Sequence, residues 1–167
     1  MTGSTITLLF ATVCVGLMAG LFFAYSFSVM PALSQLDDHQ YLSTMQSINR
    51  AIQNPAFFTA FFGALLALPL ATYLTHTTQS GTTAFWLLLA ATIVYGVGVF
   101  LVTVVGNIPI NEALDALDLT SAPKESLSSQ RQLFETRWVT LNFVRTACSL
   151  AAFLCSLLAF LSRYQKN

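Results

Sequence analysis

Four residues near the C-terminal end of the chain recur at steps of four, three and four: Trp138, Asn142, Arg145 and Ser149. At those steps they share one helix face, and Arg145 lies about 10 Å along the helix from Trp138 at 1.5 Å per residue. The stretch around them, from about Val139 to Leu161, is otherwise apolar, and Arg145 is its one charge. Burying a cation mid-span costs about 2.5–3.5 kcal/mol on insertion scales, so its side chain belongs in a helix interior or a wet cavity. It either staples the helices or snorkels to headgroups, or it binds an anionic or oxyanionic group.

Other polar side chains stand at the ends of the apolar runs. Asn107-Ile-Pro-Ile-Asn111 follows the third run, and its proline predicts a break or kink whose freed carbonyls the two asparagines or a ligand must satisfy. Asn54-Pro55 reads as an N-cap followed by proline at the first helical position. His39, beside Asp37 and Asp38, is either a solvated loop histidine or a general base. Cys14, Cys148 and Cys155 have no spacing for a disulfide, zinc or redox motif and read as small packing residues. With two histidines, His39 and His76, expected on opposite faces, no paired-histidine haem or non-haem iron site can be built.

The elements that must position these residues follow from the charge distribution. Only 8% of the 167 residues are charged, against roughly 25% in soluble domains, and the mean hydropathy is +0.67. Seven Lys plus Arg balance seven Asp plus Glu, leaving no basic excess for nucleic acid. No Asp, Glu, Lys or Arg occurs from Met1 to Leu36, nor from Ala51 to Asn111. These deserts and the final apolar stretch predict four spans, at about 6–30, 56–74, 84–105 and 139–161. The first has no cleavable-signal pattern and reads as a retained helix. The fold expected is all-α: a single integral membrane domain over 1–167, an up-down-up-down four-helix bundle. Membrane lipid is its expected surroundings, and a bacterial inner membrane its expected location.

The connection between spans two and three is short and uncharged, whereas the other two hold nearly all the charge. Tyr41, Met45, Ile48 and Ile52 predict a short amphipathic interfacial helix between spans one and two, with Asn49 and Arg50 on its polar side. Between spans three and four a polar cap is expected, with a turn at 120–128. In an alternating bundle both connections lie on one side. Ser26, Met30, Asn54, Asn107, Asn111, Asn142 and Arg145 then converge there. Lys and Arg near the spans number four on that side (Arg50, Lys124, Arg131, Arg137) against two on the other (Arg163, Lys166), the sense of a cytoplasmic cap on a margin of two. Gly16, Gly20, Gly96 and Gly98 predict close helix packing, and Pro69 a bend in span two. Phe57, Phe58, Phe61 and Phe62 offer lipid-facing or core surface, or a wall for a flat substrate.

Five ordered segments now carry a resemblance. The run Ala19-Gly20-Leu21-Phe22-Phe23-Ala24-Tyr25-Ser26-Phe27-Ser28-Val29-Met30-Pro31, then Met45 to Arg50 and Asn54-Pro55-Ala56-Phe57, resemble the first half of the anthrone oxygenase family of small membrane proteins. Asn107-Ile-Pro-Ile-Asn111 and Trp138 through Asn142 to Arg145-Thr146 resemble its second half, so the likeness runs from about Gly16 to Ala152. Where the family often carries Trp just before the span-four asparagine, this chain has Leu141, and no stacking role is carried over to it.

The resemblance implies oxidation of an anthrone to an anthraquinone by O2 with no metal or flavin cofactor, the partners being a small hydrophobic aromatic substrate and O2. In that reading Arg145 stabilises an enolate oxygen, with Asn142 beside it as a catalytic residue. Asn107 and Asn111 orient the substrate, and Asn49, Asn54, Trp138, Ser26 and Met30 line its site. His39 is the first candidate base and Glu112 the second. The alternative is a non-catalytic membrane protein that binds a lipid, a quinone-like ligand or a partner subunit at the same cap. A transporter comes third, since one arginine without an intramembrane acid makes a poor ion path.

Overall fold

The computed structural model describes residues 3–164 and is helical throughout. Four helices are long and apolar enough to cross a membrane: α1 (Gly3–Leu33), α3 (Pro55–Gln79), α4 (Thr83–Asp115) and α5 (Lys124–Tyr164). A fifth, α2 (Asp38–Ala51), lies between the first two. α1 packs on α3 and α5, and α4 packs on the same two, giving a four-helix bundle in which every span touches two others. Leu17, Leu66, Ile93 and Leu154 are among the large apolar residues left exposed, as a lipid-facing surface requires. Lys166, counted above for orientation, lies outside the described residues.

Two helices run well past their expected ends. At 1.5 Å per residue the 33 residues of α4 measure about 50 Å and the 41 of α5 about 60 Å, against a hydrocarbon core of about 30 Å. The excess projects on the side of α2 and forms the cap. The break expected at Asn107–Asn111 does not occur. α4 instead winds wider through two π-helical segments, Gly96–Leu101 and Thr103–Asn107, and Pro109 falls in the first turn of the α-segment that follows. The amide of Ile108 bonds the Thr103 carbonyl, so the backbone stays paired across the transition. α1 has a similar π segment at Tyr25–Val29. Pro69 lies inside α3 without ending it.

The amphipathic α2 turns its apolar face onto the end of the bundle. It buries Tyr41, Leu42, Met45 and Asn49 against the projecting ends of α4 and α5, in a cluster with Met30, Leu114, Phe134 and Trp138. Asn49, expected on the polar side, is therefore inside. Polar ties fix the cap. Gln46 Nε2 donates to the carbonyls of Leu114 (2.8 Å) and Leu117 (3.1 Å) at the end of α4. The Arg131 guanidinium donates to the carbonyls of Leu36 (2.7 Å) and Ser34 (2.8 Å) and to Asp38 (3.0 Å), and it lies 4.6 Å over the Tyr41 ring. Burial raises the Tyr41 phenol well above its ordinary value; repulsion from Glu135 adds to this and Arg131 opposes it.

The turn into α5 closes on Asp118, whose carboxylate accepts from Thr120 N (3.0 Å), Thr120 Oγ1 (2.7 Å) and Ser121 Oγ (2.8 Å). Hydrogen bonds from Thr120 and then Ser121 favour the ionised form and hold this exposed acid at about 2. A depressed value means the turn's contribution is intact above the unfolded pKa of about 3.9 and is lost as pH falls through about 2. Carboxyl NMR titration should place Asp118 near that lower value, and Thr120→Val should move it toward the ordinary one.

Close packing distinguishes the glycines. A Cβ on Gly98 would overlap Cys148 Sγ, and one on Gly16 would sit 2.9 Å from the Phe153 ring, whereas Gly20 and Gly96 face open space and so do not serve the close packing expected of them. Gly98→Ala should lower the unfolding temperature in detergent, with an overpacking cost of about 1–3 kcal/mol. Gly96→Ala should leave it unchanged or raise it, since alanine is the better helix former by up to about 1 kcal/mol.

Candidate functional site

The polar stripe of α5 faces the bundle interior. Asn142 is 1% and Arg145 6% exposed, with Trp138, Thr146 and Ser149 buried beside them. Arg145 Nη2 donates to Asn142 Oδ1 at 2.9 Å, while Asn142 Nδ2 donates to the Phe22 carbonyl (3.1 Å) and to Ser26 Oγ (2.8 Å) on α1. Ser26 Oγ in turn shares a hydrogen bond with Thr146 Oγ1 at 2.9 Å. This relay fixes the asparagine amide, so its oxygen faces the guanidinium.

Aromatic rings complete the seat. The guanidinium carbon lies 4.5 Å from the Phe22 ring centroid and 5.4 Å from that of Trp138, and Trp138 is braced by Tyr25 at 5.7 Å. Desolvated cation–π contacts are worth about 2 kcal/mol each, enough with the Asn142 bond to offset an insertion cost of about 2.5–3.5 kcal/mol. They solvate the charge without cancelling it. Among the described residues no carboxylate pairs with Arg145; the ion pairs there belong to Arg50 and Arg131.

Next to this cation opens a cavity of about 570 Å³, a size that suits a small organic ligand. Its polar wall carries Asn49, Asn107, Asn111, Trp138, Asn142 and Arg145, drawn from α2, α4 and α5. Six buried polar atoms of these residues have no partner among the described residues: Asn49 Nδ2, both amide atoms of Asn107, Asn111 Oδ1, Trp138 Nε1 and Arg145 Nε. Buried polar groups are almost always paired, so such a cluster on a cavity wall marks a place for a polar guest. The apolar wall is phenylalanine. Phe57 and Phe61 stack at 5.4 Å, Phe58 and Phe62 at 6.0 Å, and Phe100 of α4 approaches Phe61 at 5.8 Å. Each stacked pair is four residues apart on α3 and so shares a helix face.

The structure brings six of the ten anticipated site residues to this wall: Asn49, Asn107, Asn111, Trp138, Asn142 and Arg145. The other four stand off it. Ser26 is behind the wall, holding Asn142 and Thr146. Asn54 caps α3, accepting from Phe57 N at 3.0 Å. Met30 is buried in the cap core. His39 is exposed in the first turn of α2, because the buried face of that helix begins at Tyr41 and turns the histidine to solvent. Glu112 does line the cavity, at its cap-side mouth, where Arg50 and Asp115 form an exposed ion pair at 2.6 Å. Phe22, Tyr25, Phe100 and Thr103 were not anticipated as lining; Phe22 and Tyr25 stand within one helical turn of Ser26, and Thr103 and Phe100 lie four and seven residues before Asn107. Among the described residues no group of three or more His, Cys, Asp or Glu is placed to hold a metal ion.

Removing the amide at the centre of the relay tests its importance. Asn142→Leu leaves the Arg145 guanidinium, the Phe22 carbonyl and Ser26 short of a partner, each at about 1–3 kcal/mol if it stays buried. The unfolding temperature in detergent should fall clearly, and Ser26→Ala should lower it less, since Asn142 retains Phe22 and Arg145.

No curated protein and no solved structure matches the chain. A family model described as anthrone oxygenase matches residues 56–155, which run from the first turn of α3, through the phenylalanine wall and all of α4, to beyond Arg145 on α5. That is more than half of the sequence, and the chain belongs to the anthrone oxygenase family.

Proposed function

We propose that this membrane protein oxidises a flat polycyclic phenol of the anthrone type to its quinone with O2 inside the cavity, using no cofactor. The observation that carries the reading is the buried, un-neutralised Arg145 beside unpartnered amides in a phenylalanine-walled cavity. A guanidinium there favours the anionic form of a ring-bound oxygen, and the low-dielectric setting enlarges the effect.

The unpartnered atoms include both donors and acceptors. Arg145 Nε, Trp138 Nε1, Asn49 Nδ2 and Asn107 Nδ2 can donate, whereas Asn107 Oδ1 and Asn111 Oδ1 need donors from the guest. A ring system bearing one oxyanion and neighbouring hydroxyls meets both needs. The phenylalanine wall supplies aromatic contact along its flat faces.

Deprotonation of the central methylene turns the anthrone into an enolate whose oxygen faces Arg145. Glu112 takes the proton: it is on the cavity wall, and Asp115 beside it is committed to Arg50. The electron-rich enolate passes one electron to O2, and the radical pair joins carbon to oxygen as a peroxide. Loss of the remaining C–H proton with cleavage of the O–O bond yields the second carbonyl and water. The sum, anthrone plus O2 to anthraquinone plus water, balances without an external reductant. The surrounding membrane in this reading is a bacterial inner membrane, with the cap on the cytoplasmic side.

Oxygen uptake with emodin anthrone, measured on purified protein in detergent, tests the proposal. The wild type should exceed spontaneous oxidation, and Arg145→Gln should remove about 10²–10³-fold of the enzymatic rate, as loss of one oxyanion-stabilising group does elsewhere. Glu112→Gln should lower the rate. Uptake equal to the buffer rate at every pH would reject catalysis and leave a membrane protein that only binds such ligands.

A further inference from the structure

The cavity opens in two directions. At the cap side its rim is polar, with Arg50, Asp115 and Glu112, and there the Arg50–Asp115 ion pair spans from α2 to α4. On the bundle surface its rim consists of Phe58 and Phe62 from α3 and Val104 and Ile108 from α4, each 40–43% exposed although it also lines the cavity. A residue that belongs both to the lipid-facing surface and to the wall of a buried site marks an opening between the two.

The helices explain the opening. α3 and α4 are tied in the half away from the cap by the Thr72–Thr92 hydroxyl pair (2.9 Å) and, beside Phe62, by Tyr95 Oη donating to the Phe61 carbonyl (3.0 Å). Their packing is concentrated on Thr83–Tyr95 of α4 and is sparse from Gly96 onward. Beyond Phe100 the second π segment carries α4 onward and packs against α5, where Leu141 rests 3.0 Å from the position of a Cβ on Gly106. A slot is left between the cap-side halves of α3 and α4.

The depth of the slot matches an amphiphilic aromatic guest. Phe62 is seven residues, about 10 Å, from the start of α3 at Pro55, so the slot lies just inside the cap-side leaflet. Within the cavity Asn49 and Asn111 lie toward the cap, while Phe61, Phe62 and Phe100 lie deeper. A polycyclic phenol in a bilayer has the same polarity, its hydroxyls toward the headgroups and its rings toward the chains. It could slide sideways into the cavity without turning over and without leaving the membrane.

We infer that the cavity is loaded laterally from the bilayer through the α3–α4 slot gated by Phe58, Phe62, Val104 and Ile108, so that its ligands are membrane-partitioned flat aromatics. The inference rests on the reading of the cavity as an aromatic site but not on catalysis.

The test uses the full chain in phospholipid vesicles with Trp86→Phe, so that Trp138 on the cavity wall is the one tryptophan, and follows its quenching by 1,8-dihydroxyanthraquinone after rapid mixing. Adding bulk in the slot with Val104→Phe and Ile108→Phe should slow association and dissociation together by tenfold or more, with the equilibrium constant changed less than threefold. Phe62→Ala should speed both, a result that a damaged fold would not produce. Val97→Phe, which adds the same bulk to an exposed face of α4 away from the cavity, should change neither. At fixed total dye, doubling the lipid should halve the observed association rate. Slot variants that leave the rates unchanged, an association rate that ignores the lipid content, or acceleration by Arg50→Gln alone would overturn lateral loading in favour of the polar mouth. Absence of Trp138 quenching would overturn it together with the aromatic site. Failure of the oxygen-uptake assay would leave these rates, and the inference, standing.

Discussion

One constraint organises the molecule: a guanidinium has to be held inside an apolar bundle without being neutralised. An acid beside Arg145 would satisfy it more simply, and the resulting ion pair would have little left to offer a ligand. The chain instead surrounds the charge with groups that lower its cost but carry no formal charge, namely the faces of Phe22 and Trp138 and the Asn142 oxygen. Each fixes something else. Asn142 must reach α1 with its amide nitrogen to keep its oxygen in place, which couples two spans through Phe22 and Ser26. Trp138 must be buried above the membrane-level stripe, which requires a cap over the end of α5.

The cap is built to that requirement. α4 and α5 exceed the bilayer thickness, and α2 closes over their ends by inserting Tyr41, Leu42 and Met45 between them. Arg131 and Gln46 bond mainly to backbone carbonyls at helix ends and so lock the α1–α2 and α4–α5 connections to one side of the bundle. The polar mouth lies on the aqueous side beside the Arg50–Asp115 pair, while Phe58, Phe62, Val104 and Ile108 belong both to the cavity wall and to the exposed apolar surface. Burial in the bundle strengthens any electrostatic interaction with Arg145, because little high-dielectric medium surrounds a guanidinium that is 6% exposed.

Much of this was legible in the sequence for physical reasons. A run without charge longer than about 20 residues has few fates outside a membrane, and helical steps of three and four place Trp138, Asn142, Arg145 and Ser149 on one face whatever surrounds them. The bundle, the polar side and most of the polar wall follow. What could not be read depends on partners distant in sequence. Asn49 looks solvent-facing beside Arg50 until α4 and α5 are known to extend under α2. The π segments also leave no residue signature. Asn107-Ile-Pro-Ile-Asn111 looks like a helix break because proline removes a hydrogen bond, but the wider π turn before it repositions the carbonyls and the helix continues. His39 was singled out by chemistry alone; its exposure depends on which side of α2 the protein covers.

The balance of unpartnered atoms discriminates among guests of similar charge. A fatty acid or a phosphate monoester offers mostly acceptors, and would satisfy Arg145 and Trp138 while leaving Asn107 Oδ1 and Asn111 Oδ1 buried and unmet, at about 1–3 kcal/mol each. A neutral quinone without hydroxyls has the same defect and also offers no negative charge to the guanidinium. A hydroxylated aromatic that ionises at one oxygen meets every class of group on the polar wall, and the wall of Phe57, Phe61 and Phe100 offers its rings aromatic contact. In the proposed reaction, oxidation would change the fit. As the enolate becomes a quinone its charge disappears, the interaction with Arg145 weakens, and the product is left with the apolar wall and its remaining hydroxyls. The group that favours the reactive anion therefore also favours release of the uncharged product.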